Sequence, residues 1–488
     1  HIESFQNKVR LQKLSGFLSL TESKIKYSDY FDKAPGQNLY LQIETKPSEE
    51  GVAIEKGELK LLDIPFQVQG EIKDLKNPVF DLKTSSVVPD LSQLSSVMVM
   101  LKKFDARGKA SLKGELKKTR ESSKVEFEQE ASFDNAGLKI AGIKSRLENV
   151  QGTVLFKNNS VTLKKISFKS GPSQFDVYGT LKNFDAPEGN LSVTASYLDL
   201  NEFFEKSKGR VTSSEEMEGE TVKNEKARSV ANVIEDNPFL KNMNMVGKIF
   251  VKNGKMSSYD YSDLNASISF QDRLFKLKDM DVKMYGGKIG ARFNVNYKTE
   301  VPDYEFEGAV ADLNLEQFLG VKNQQLSKEI QGSFSTHCVV RGKGLSWDQF
   351  RANALGSGKL IVKNGKFAEL NIIASVMDTL KIFQSRVPDD VDLSGNFNSL
   401  TGNFEMEKGR VSTENLYLDA KDYYITLNGE FFMDKRIKYK GKYLFKKEGY
   451  GFPIFVDVSG TISKPEVHPD VQEYVKSILT GAITDIFN

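Results

Sequence analysis

One cysteine, Cys338, and three histidines, His1, His337 and His468, are all that the 488 residues offer for disulfide or soft-metal chemistry. A single thiol excludes an intramolecular disulfide. An oxidising compartment stays open, because a chain of this length can bury a core without covalent staples. The histidines lie far apart, so no HExxH run, zinc-finger spacing or histidine-based triad can be drawn. His337 adjoins Cys338, but neighbours on a strand face opposite ways, which argues against a shared metal. No metal or cofactor is expected.

Other features are missing too. No run of 18 apolar residues occurs, and stretches such as SVMVML (96–101) are too short to span a bilayer as a helix. The opening HIESFQNKVRLQKLSG lacks the pattern of a secretory signal and reads as mid-domain sequence, so a targeting segment is expected upstream. There is no GxGxxG and no Walker lysine; GLSWDQF and GSG (356–358) fall short of a nucleotide fingerprint. With 68 basic and 66 acidic side chains the net charge is +2, and no global field favours nucleic acid. One basic stretch, 102–124, carries Lys102, Lys103, Arg107, Lys109, Lys113, Lys117, Lys118 and Arg120, but Glu115 interrupts it and aromatics do not interleave. It reads as a solvated loop or strand face. Carboxylates are abundant but mostly occupy the polar phase of alternating segments, so no glycosidase pair stands out and an enzyme is not expected.

The dominant positive signal is period-two alternation, the mark of strands with one apolar face. Val161 and Leu163, then Ile166 and Phe168, alternate with polar residues, as do Ile289, Ala291, Phe293 and Val295. Turn signals such as KNN (157–159), KNG (252–254 and 363–365) and EKG (407–409) separate such runs. The fold class is therefore mainly β: a long, curled antiparallel sheet built from repeats, with a few short helices.

Three nine-residue segments superimpose: IPFQVQGEI (64–72), SQFDVYGTL (173–181) and YYITLNGEF (423–431), each with glycine seventh. The glycines Gly70, Gly179 and Gly429 share the apolar phase, where a glycine marks a bend or a close approach. Asp90 and Asp199 each begin a capping-box pattern 20 residues after their glycine, DLSQL and DLNEF, and Asn314 begins NLEQF. Short helices should start at all three. Two further helices are expected. One covers 369–385, with Leu370, Ile373, Val376, Met377, Leu380 and Phe383 on one side. The other follows Pro469 at its first position, with a stripe of Val471, Val475, Ile478, Leu479, Ile483, Ile486 and Phe487. Residues 205–236 are charged and lack aromatics, which fits a polar linker or loop. The expected organisation is a β-repeat region over 1–204, that linker, and a second β region over 237–488 ending in the amphipathic helix.

The segment MYGGKIGARFNVNYKTEVPDYEFEGAVADLNLEQF (284–318) runs a strand ending in Tyr-Gly-Gly, an alternating strand, and a strand leading to a helix start. In this it resembles the AsmA-like family. ALGSGKLIVKNGKFAELNIIASVMDTL (354–380), LTGNFEMEKGRVSTENLYLDAKDYYITLNGEFFM (400–433) and FPIFVDVSGTISKPEVHPD (452–470) are similar, in order, to that family's C-terminal domain. The likeness is good over about 140–470 and weaker before it. The resemblance implies a bacterial envelope protein of the periplasm, tethered to the inner membrane by an upstream helix that these residues do not include. It also implies kinship with bridge-like lipid-transfer proteins. Such a protein would hold lipid acyl chains, phospholipid first among them, and carry them between inner and outer membrane in support of outer-membrane biogenesis. A lipid-free scaffold, or an assembly factor for outer-membrane proteins, is the alternative. Nucleic acid is not an expected partner.

A sheet with one apolar face must hide it, and this sequence offers few helices to do so. Curling around the face and filling it with acyl chains is one solution; a closed sandwich is the other. The candidate groove residues are Ile64, Phe66, Val68 and Ile72; Phe175, Val177 and Leu181; Ile289 and Phe293; and Ile425, Leu427 and Phe431.

Overall fold

The computed structural model describes residues 13–202, 234–367 and 390–477, apart from short interruptions at 28–30, 49–50, 75, 123, 141–142, 236, 393, 450–452, 462–463 and 474, together with the backbone of 2–5 and 8–11. The expected helix at 369–385, nearly all of the expected linker 205–236, and the apolar stripe beyond 477 lie outside the described residues. The chain forms two compact units: His1–Val222 with Asn242–Lys255, and Lys223–Lys241 with Met256–Asn488.

Strand is the rule in both units, as the alternation predicts. The first contains two small hairpins, β1 (Ile2–Phe5) with β2 (Lys8–Leu11), and β4 (Ile25–Tyr27) with β5 (Phe31–Lys33). Its main sheet runs β3 (Leu14–Ser19), β6 (Leu39–Pro47), β7 (Gly51–Leu61), β8 (Ile64–Lys73), β9 (Val79–Val88), β10 (Arg107–Lys118), β11 (Glu126–Leu138), β12 (Leu147–Lys157), β13 (Ser160–Ser170), β14 (Ser173–Lys182), β15 (Glu188–Asp199) and β16 (Asn244–Met256). Neighbours up to β15 pair antiparallel. The last pair departs from expectation: β15 and β16 are parallel, from Glu188 opposite Asn244 to Asp199 opposite Lys255. Parallel neighbours need a long crossover, and residues 200–243 supply it. Through this pairing β16 falls in the first unit, although the composition places it after the polar stretch.

The second unit is an unbroken antiparallel meander: β17 (Tyr259–Gln271), β18 (Leu274–Met284), β19 (Gly287–Asn296), β20 (Asp303–Asn314), β21 (Ile330–Lys343), β22 (Leu355–Phe367), β23 (Asn396–Glu407), β24 (Arg410–Asp419), β25 (Tyr423–Phe432), β26 (Ile437–Phe445), β27 (Ile454–Thr461) and β28 (Lys464–Pro469).

The repeated glycine has a structural meaning at all three positions. Opposite Gly70, two residues of β7 (Glu55 and Lys56, between Ile54 and Gly57) stand against one of β8 (Gln69, between Gly70 and Val68). The same bulge recurs between Leu163 and Ile166 opposite Gly179, and between Thr413 and Leu416 opposite Gly429. On its other side each glycine meets the next strand's backbone. A Cβ there would lie 2.0 Å from the Asp81 carbonyl oxygen, 2.5 Å from that of Asn190, or 2.2 Å from that of Lys438. Bulge and glycine together bend the strand and let its neighbour close in, which is how a sheet is made to curl.

Short helical pieces begin where the cap residues stand. Asp90 accepts from the Ser92 and Gly108 backbone N–H groups and precedes a 3-10 turn, Leu91–Ser96. These bonds hold its carboxyl below the usual aspartate range. Asp199 accepts from the Asn201 N–H before a 3-10 turn, Leu200–Glu202, and Asn314 accepts from the Gln317 N–H before the helix Leu315–Gly320. The two-way box forms at another place, Ser346 with Gln349, at the head of the helix Trp347–Asn353. Pro469 ends β28 rather than starting the final helix. Asp470 is the cap, accepting from the Glu473 N–H at 3.1 Å and from the Lys440 ammonium at 2.8 Å.

Among the described residues each unit has a dry core. In the first, Leu91, Leu94 and Val97 drop from the 3-10 turn onto Ile64, Val88, Ala110, Ala136 and Val150. Beside it Lys33 is fully buried, its ammonium donating to the carbonyls of Thr21, Ser23 and Ala34. In the second, Phe397, Leu418, Tyr423, Tyr443, Phe445, Ile454 and Val456 pack together, and burial pushes the Tyr443 hydroxyl well above its ordinary pKa.

Candidate functional site

Strand register decides which side chains share a face. In the first unit Phe66 on β8 stands opposite Ser86 on β9, then Leu112, Ala131, Val154, Leu163 and Gly179 on β10 to β14. The adjacent row runs Val68, Thr84, Gly114, Gln129, Phe156, Val161 and Leu181. The candidate residues of β8 and of β14 therefore lie on one face of one sheet, six strands apart. They are not equally covered. Ile64 is 1 % exposed and belongs to the core, and Phe175 is buried as well. Phe66, Val68, Ile72, Val177 and Leu181 are only half-buried, as are Leu82, Leu116, Phe127, Val161 and Leu163 between them. Along the strands, the face thus passes from a dry end under the 3-10 turn to an apolar floor still open to solvent.

The second unit repeats the arrangement. Phe293 on β19 lies in a row with Phe306, Val340, Gly356, Met406, Val411 and Phe431 on β20 to β25. Ile289 shares the face four residues away, opposite Val282 and Val310. Leu427 faces Leu416, whereas Ile425 packs against the core. Ile289, Phe293, Leu427 and Phe431 are half-buried. A family model described as the AsmA family matches residues 75–416. The chain belongs to the AsmA family. No curated protein matches it.

The AsmA match begins well before 140, the point from which the motif resemblance is good, and ends short of the FPIFVDVSGTISKPEVHPD segment. Family membership associates the chain with the cell envelope. Among the described residues no helix is long and apolar enough to cross a membrane, and no group of three or more His, Cys, Asp or Glu is placed to hold a metal ion. His337 and Cys338 point to opposite faces of β21. The imidazole meets Glu307 at 3.1 Å, and its hydrogen bond holds that carboxyl below the ordinary range. Cys338 sits on the apolar face opposite Gly308, where burial raises the thiol pKa.

The other face of this AsmA-family sheet is polar. Gln67, Gln69, Lys83, Ser85, Lys113, Glu115, Glu128, Glu130 and Lys164 line a cleft of about 670 Å³ in the first unit. Opposite charges interleave there, Lys117 with Glu115 at 2.7 Å and Lys164 with Glu130 at 2.6 Å. The basic stretch is thus partly neutralised on a solvated strand face, as its sequence suggests. Residues that sequence reading passed over, Leu82, Leu116 and Phe127 among them, belong to the apolar face as fully as the named candidates. Their alternation was visible, but without register nothing tied one strand's apolar phase to another's.

Proposed function

We propose that this AsmA-family chain is a non-enzymatic lipid carrier, which holds acyl chains along its apolar faces and serves transfer of phospholipid between the membranes of the envelope. The carrying observation is the half-exposed apolar floor. Its residues alternate cleanly and align row by row, yet outside the two cores no second layer covers them among the described residues. Such a surface is costly in water, and each methylene laid on it gains about 0.8 kcal/mol. Acyl chains fit it without specific polar contacts.

Position 177 tests the reading. Val177 faces the floor, and Asp176, on the opposite face, accepts from the Ser167 hydroxyl. A photo-crosslinker at 177 should capture phospholipid in cells, while one at 176 should not. Val177→Asp should leave the protein folded and weaken lipid capture, because a carboxylate on an open floor keeps its water. In a sealed core the same change would cost several kcal/mol and unfold the region. A folded protein that captures lipid at neither position is a scaffold, not a carrier.

A further inference from the structure

The only tryptophan in the chain, Trp347, is 64 % exposed. It opens the short helix Trp347–Asn353 at the rim where β21 ends and β22 begins. Leu345 beside it is 46 % exposed, and Val301, in the neighbouring turn, is 43 % exposed. The two turns are tied by the Gly344 N–H donating to the Pro302 carbonyl at 2.8 Å. The Ser346–Gln349 capping box fixes the helix start, so the indole is held outward by a rigid element. Behind it the aromatics are continuous. Trp347 stacks on Phe350 at 5.6 Å, Phe350 on Tyr304 at 6.1 Å, and Tyr304 lies 6.5 Å from Phe293 on the apolar floor.

We propose that this tip, Val301, Leu345 and Trp347, docks the second unit on a lipid bilayer surface and seats the end of its apolar floor there. The inference rests on the carrier reading and adds where lipid would enter or leave. Three exposed apolar side chains are far fewer than the roughly 20–30 residues a side of a stable protein interface. An indole pairs an apolar body with a polar N–H, and such rings concentrate at the membrane–water boundary. Lys343 and Arg351 are balanced by Asp303 and Asp348, so the docking is apolar rather than electrostatic. The aromatic stack gives an acyl chain an unbroken apolar path from bilayer to floor.

Because Trp347 is the sole indole, its fluorescence reports on the tip of the full chain. Phosphatidylcholine vesicles should shift its emission to the blue, brominated acyl chains should quench it, and added salt should change neither. Trp347→Ser and Leu345→Ser should each cut vesicle co-sedimentation several-fold with an unchanged circular-dichroism spectrum, and Trp347→Phe should retain most of it. Emission that ignores vesicles overturns the tip, even where position 177 captures lipid. A shift produced equally by a monomeric short-chain lipid, or only by vesicles bearing envelope proteins, overturns it as well. A blue shift without capture at 177 keeps the tip and removes the carrier reading.

Discussion

A methyl group added to Gly429 would sit 2.2 Å from the Lys438 carbonyl oxygen, and one added to Gly70 2.0 Å from that of Asp81. Backbone cannot move aside as a side chain can, and Gly70 is further held at φ 145°, where an L side chain is strained. Gly290, also on a strand, has nothing closer than 3.6 Å to its added Cβ. Gly70→Ala and Gly429→Ala should therefore each destabilise by about 1–3 kcal/mol, and Gly290→Ala by no more than about 0.5 kcal/mol. Thermal unfolding of the three variants checks this. Equal melting temperatures would mean that the close approach does not matter to stability. These glycines were legible from sequence as the seventh residue of a repeat. The bulge opposite each was not, because Glu55-Lys56, Lys164-Lys165 and Glu414-Asn415 read as ordinary polar pairs between strand residues.

At the scale of elements, the cap residues were readable and the type of helix was not. Asp90 and Asp199 start 3-10 turns where the capping pattern predicts α-helix. After Asp90 a short turn suffices, because Leu91, Leu94 and Val97 already reach the core from it; the three residues after Asp199 bury none. The Pro469 reading failed for a related reason. Proline suits a first helical position in general, but here it closes the β28 ladder opposite Val456, leaving Asp470 to cap. The bond from the Lys440 ammonium, with the Glu473 N–H behind it, holds the Asp470 carboxyl below its ordinary range. A depressed folded pKa stabilises fully above the unfolded value, about 4, and is lost as pH falls through the lower folded value. Asp470→Asn should lower the melting temperature at pH 7 and make little difference near pH 2. Parallel melting curves at the two pH values check it, and an equal loss at both would remove the charge from the account.

Seen whole, the first unit pairs each strand from β6 to β15 with its sequence neighbour, mostly through turns of a few residues. Contacts this local form early, since hairpins close in microseconds. The parallel pair must instead close residues 200–243, which adds roughly 2 kcal/mol of loop entropy over a short turn. Amides shared by β15 and β16 should therefore gain protection after those of the β12–β13 and β13–β14 hairpins in pulse-labelled hydrogen exchange. Simultaneous protection would deny the parallel joint any kinetic distinction. Sequence gave no sign of that joint, because alternation is the same whichever way a neighbour runs.

The parallel joint also bears on how such a sheet can change in length. In an antiparallel meander the chain turns back at every strand, so strands must be gained in pairs if the exit is to stay at the same rim. β16 runs with β15 instead of against it, and the chain leaves the first unit at the rim where β15 ended, with Lys255 beside Asp199. A duplicated hairpin anywhere upstream lengthens the floor by two strands and leaves that exit where it was. Strand number is thereby free to drift, while the polarity of the exit stays fixed by one joint.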